Sequence, residues 1–93
     1  MDGLTTGRIV HYVMPNGTHR PAIITNVFND RGLINVNVFT DYTNDVGYTD
    51  AERQKLRDFN IKSEEVAHGH IWRTSISFSE DPIPGSWHWI EKA

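Results

Sequence analysis

RIVHYVMPNGTHRPAIITNVF, residues 8–28, is the stretch whose reading decides the fold. Residues 8–14 are β-branched and aromatic, which suits a half-buried pleated surface. Pro15-Asn16-Gly17-Thr18 then supplies the Asn-Gly pair that tolerates positive φ in a hairpin turn. The returning strand, residues 20–28, carries Pro21 at its entry, where a missing N–H is tolerated. The pattern predicts an antiparallel hairpin.

Outward from this hairpin, the same period-2 signal recurs. Asn29-Asp30-Arg31-Gly32 forms the next turn, and residues 33–40 alternate so that Ile34, Val36 and Val38 face a core while Asn35 and Asn37 face away. One polar face belongs to an antiparallel sheet. Residues 71–79 alternate likewise, and the reading places Trp72, Thr74, Ile76 and Phe78 together on one face. A fifth strand follows the turn made by Pro82, Pro84 and Gly85: Ser86-Trp87-His88-Trp89-Ile90 puts two indoles on one side and an imidazole on the other.

The interruption at 41–70 is too long for a hairpin loop. Thr49-Asp50-Ala51-Glu52 is a capping box, Leu56 and Phe59 supply a short buried stripe, and Asn60 tolerates the left-handed conformation at a helix end. These signals predict an all-β domain over residues 1–93: a small SH3-like five-stranded antiparallel barrel, with one short helix in an insertion between strands 3 and 4. A five-stranded OB-like barrel ranks second, and a sheet with one packed helix third.

Ninety-three residues allow one thin-cored domain. Nine Lys and Arg against twelve Asp and Glu give a formal charge of -3, which disfavours duplex nucleic acid, whose binders neutralise phosphates with clustered bases. Cysteine is absent, which favours a reducing cytosol. The first residues show no signal-peptide pattern, and no apolar run approaches the roughly 18 residues that a membrane span needs.

Catalytic signatures are weak. A Ser-His-Asp set assembled from Ser75, His88 and Asp41 has no local motif behind it, and no Gly-rich phosphate loop precedes a helix. His68-Gly69-His70 offers two imidazoles on one face of an extended segment. His11, His19 and His88 add three more, but their spacing predicts no convergence, so neither a metal nor any other cofactor is expected, and neither is an enzyme.

HYVMPNG-x-HRPAI (residues 11–23), NVNVFTD-x-x-ND (residues 35–45) and Trp72 with PGSWHWIE (residues 84–91) together resemble a family of small uncharacterised proteins of bacteriophage and prophage genomes. The resemblance covers most of the chain outside the helical insertion. It implies a phage origin and expression in the cytoplasm of a bacterial host. It supplies no catalytic residue.

A binding role fits these residues better. Aromatic faces stack a base, Arg pairs with phosphate, and Asn or Asp reads hydroxyls and base edges. Arg20, Asp41, Tyr42, Asn44, Trp72, Arg73, Trp87 and His88 are the candidate ligand-binding residues. The expected function is that of a non-enzymatic phage accessory protein sequestering a small nucleotide-like host molecule, such as an immune signal, with homo-oligomerisation left open. The alternative is a protein-binding adaptor or virion-associated module docking a host protein. A single-stranded nucleic-acid binder ranks third.

Overall fold

A computed structural model describes residues 1–90; Glu91 of the PGSWHWIE block and Lys92 of the basic-residue count lie outside the described residues. The predicted hairpin is present as β1 (Ile9–Val13) and β2 (His19–Val27), antiparallel, with Tyr12 opposite Arg20 and Val13 opposite His19. At its turn Gly17 adopts φ 86°, a conformation closed to most side chains, and its N–H donates to Met14 O at 2.8 Å. The Asn16 carbonyl Oδ1 accepts from Thr18 N–H at 2.9 Å, which completes the tip.

β3 (Ile34–Phe39) pairs with β2, β4 (His70–Ile76) with β3, and β5 (Trp87–His88) with β1, all antiparallel. The result is one five-stranded sheet in the order β4-β3-β2-β1-β5. No strand ladder joins its edges to close it among the described residues. One isolated parallel bridge links Phe78 to Trp87: Trp87 N–H donates to Ser77 O at 3.1 Å and Ser79 N–H to Trp87 O at 2.9 Å.

β3 alternates as expected, with Ile34, Val36 and Val38 buried. β4 does not. Ile34 pairs with Ile76 but Val36 with Arg73, so β4 carries one extra residue in a bulge. Ser75 takes φ 56° there, and Asn35 Oδ1 accepts from Ser75 N–H at 3.0 Å and from the Thr74 hydroxyl at 2.8 Å. The bulge reverses the phase of the strand, so Ile71 and Ile76 face the core while Trp72 and Thr74 face solvent. The expected common face of Trp72, Thr74 and Ile76 is thereby corrected.

The insertion at 41–70 holds three short helices where one was expected: α1 (Tyr42–Asp45), α2 (Asp50–Asp58) and α3 (Ser63–Ala67). At the start of α2, Thr49 Oγ1 accepts from Glu52 N–H at 3.1 Å, the first of the two bonds of the capping box. It ends at Phe59, and Asn60 takes φ 58°. Leu56, Ile61 and Val66 pass from the insertion into the core formed by Val10, Tyr12, Ile24, Val36 and Trp87. No described helix is long and apolar enough to cross a membrane.

Candidate functional site

α1 is a single helical turn, too short to hold itself, and its fixing point is an ion pair. Arg20 at the start of β2 donates Nε to Asp45 Oδ2 at 2.7 Å and a terminal nitrogen to Asp45 Oδ1 at 3.1 Å. The Asp45 carboxylate is fully buried and also accepts from Asp41 N–H at 2.7 Å. Asp41 caps the turn, its carboxylate accepting from Thr43 N–H and from the Thr43 hydroxyl. Asn16 at the hairpin tip donates its amide to Asn44 O at 3.2 Å.

Between the hairpin tip, α1 and α2 lies a cavity of about 70 Å³ lined by Asn16, Asn44, Asp45, Glu52, Lys55 and Leu56 among others. Its lining combines two side-chain amides, two carboxylates and an ammonium group with the apolar Leu56. Tyr42, 54% exposed, stands at the start of the same turn, and Tyr48 just beyond it donates its hydroxyl to Thr43 O. The structure therefore brings Arg20, Asp41, Tyr42 and Asn44 to one end of the molecule. Arg20 and Asp41 act there by holding α1 in place.

The other four candidates lie elsewhere. Trp72 is 59% exposed on the outer face of β4. Arg73 points inward and donates a terminal nitrogen to Phe59 O at 2.7 Å, tying β4 to the end of α2. Trp87 is wholly buried, its indole N–H donating to Gly32 O at 2.6 Å, and it meets Trp89 and Phe78 edge-on with centroids 5.0 Å apart in each pair. It belongs to the core. Burial pushes the Tyr12 hydroxyl above its ordinary pKa, and the positive charge of Arg73 offsets this in part.

His88, on the opposite face of β5 from Trp87, is buried at 6% exposure and does not stand by itself. It pairs directly with His11 across β1 and β5, and His19 lies opposite Val13, two residues along β1 from His11. Side chains two apart share a face, so three strands present three imidazoles on one side of the sheet. The ring centroids are 4.7 Å apart for His19 and His88, 5.8 Å for His11 and His88, and 6.1 Å for His11 and His19, each pair edge-on. A ring nitrogen from each lies within 4.8 Å of the others.

The sequence reading placed His88 in a binding site without its two neighbours. The hairpin turn carried half of the missing signal: pairing across Asn16-Gly17 puts His11 and His19 diagonally on one face. The register of β5 against β1 carried the other half, and no local motif encodes it.

Family models, curated proteins and solved structures were all compared with the chain, and none matched.

Proposed function

We propose that this protein is a non-enzymatic binding module that takes up a small nucleotide-like ligand at the cavity between the hairpin tip, α1 and α2. The observation that carries the reading is the meeting of Arg20, Asp41, Tyr42 and Asn44 at one preorganised turn beside that cavity. The amide of Asn44 and the carboxylate of Glu52 suit a base edge or ribose hydroxyl, and Lys55 suits a phosphate. About 70 Å³ accommodates one ring or one phosphate, so the rest of the ligand lies outside it, and the exposed Tyr42 of the adjoining turn offers a flat face. In the cytoplasm of a bacterial host, to which the phage likeness points, such a module acts by sequestration. We also read the sheet as a strongly bent SH3-like barrel, a reading supported by the Phe78–Trp87 bridge.

Titration calorimetry against cyclic nucleotides and ADP-ribose derivatives tests the proposal. The expected result is saturable heat from at least one member, lost on Asn44→Ala and Lys55→Ala. No heat from any member overturns it.

A second reading, a protein-binding adaptor, is favoured by the outer face of the sheet, where Ile9, Phe39 and Trp72 are exposed. Under that reading Trp72→Ala abolishes partner binding and leaves nucleotide titrations flat.

A further inference from the structure

The imidazoles of His11, His19 and His88 belong to neither the cavity at α1 nor the hydrophobic core. Each is set by backbone pairing rather than by a flexible loop. His11 sits in the middle of β1, His19 opens β2, and His88 closes β5, so their Cα positions are held by the ladders of three adjacent strands. Ligands mounted on strands are positioned more exactly than ligands on loops.

Their donor atoms are already close. A tetrahedral zinc with Zn–N bonds of 2.0–2.1 Å holds its nitrogen ligands roughly 3.3 Å apart. The present separations, none above 4.8 Å, exceed that figure by roughly 1.5 Å at most. The edge-on arrangement leaves no ring stacked flat over another, and a shared ion needs that too, since each ring must aim a nitrogen at one point.

The donor set selects the ion. Three imidazoles, with no cysteine anywhere in the chain and no carboxylate in the group among the described residues, suit zinc, cobalt, nickel or copper and not calcium or magnesium, which take oxygen ligands. All three side chains project from one face of the sheet, so they cap one hemisphere of the ion. His11 and His19 are half-buried and reach toward solvent, while His88 forms the buried floor. Three protein ligands with a fourth position left for water or an exogenous group is the arrangement of exchangeable, not closed structural, zinc sites.

We propose that His11, His19 and His88 form a binding site for one divalent transition-metal ion of the zinc class, with an open fourth coordination position. The site is separate from the cavity at α1, and neither requires the other.

The test is titration of the purified protein with Zn²⁺ by calorimetry and with Co²⁺ by visible absorption. The expected result is one ion per chain, with a cobalt spectrum of four-coordinate intensity that shifts when a small anion such as azide is added to the open position. Zinc at about 100 times its Kd should raise Tm by roughly 15 °C. His11→Gln and His19→Gln should each weaken binding by roughly tenfold or more. His88→Gln is the riskier variant because the residue is buried, so the two half-exposed positions carry the test if it fails to fold. A His68→Gln/His70→Gln double variant should bind as the parent does. Absence of stoichiometric zinc binding by the parent, or affinity unchanged by His11→Gln and His19→Gln, overturns the proposal. Loss of binding in the His68/His70 variant alone reassigns the metal to that pair and overturns it equally.

Discussion

Arg20 grips Asp45 through two parallel hydrogen bonds, and the carboxylate it holds has no solvent exposure. The pair joins the first residues of β2 to a helical turn that is otherwise too short to persist. Breaking it leaves a charge buried without its partner, a larger loss than an exposed ion pair would cause.

Arg20→Ala is therefore expected to destabilise the fold by about 3 kcal/mol, toward the lower end of the range for buried pairs because Arg20 retains some contact with water. Replacing both charges, Arg20→Met with Asp45→Asn, which keeps an oxygen to accept from Asp41 N–H, should cost less than Arg20→Ala alone. Urea unfolding of the three proteins checks the ordering; a double variant less stable than the single one contradicts it.

The Tyr12 hydroxyl predicts a stability limit at alkaline pH. Burial raises its pKa in the folded protein above the unfolded value of about 10. The unfolded chain thus loses its proton first as pH rises, and stability falls from about pH 10 upward until the folded-state pKa is passed. Below pH 10 this group contributes no slope. Thermal melts at pH 8 to 11 should show the decline, and Tyr12→Phe should flatten it.

Gly32 admits no side chain. Its φ is +99°, and a Cβ there would lie 2.8 Å from Phe78 Cβ and 3.2 Å from the Trp87 ring. Gly32→Ala should cost about 2 kcal/mol or more, from left-handed strain added to the clash. Trp87→Phe should cost about 3 kcal/mol, because it opens a cavity and strips the buried Gly32 carbonyl of its indole partner. The two losses share a contact, so the double variant should be less damaged than their sum. Denaturation of all three variants measures this.

Thr49→Ala removes the oxygen that accepts from Glu52 N–H and should cost about 1 kcal/mol. Amide exchange in α2 should quicken while the β2–β3 ladder keeps its protection. Equal acceleration in both would show that the helix and sheet unfold as one unit.

Much of this architecture is written locally. Asn16-Gly17 marks the hairpin, Thr49-x-x-Glu52 the start of α2, Asn60 its end, and strict alternation the two faces of β3; each signal depends on a few adjacent residues. Trp87 and Trp89 share a side for the same reason. The phase of β4 was not legible, because the bulge is held by Asn35, a residue of another strand. α1 and α3 were missed because a single turn has almost no periodicity to detect, and α1 depends on Arg20, far away in sequence. The histidine cluster needs three strands in register, a long-range property that spacing along the chain does not reveal.

The hydrogen bond from Trp87 to Gly32 spans 55 positions of the chain. The indole that fills the centre of the apolar interior is thus delivered by the last of the five strands, after every other strand has been made. Until this residue docks, the space it fills among the apolar side chains stays open, and such non-local closure is slow. The change in Trp87 emission on refolding should accordingly report completion of the native state rather than initial collapse.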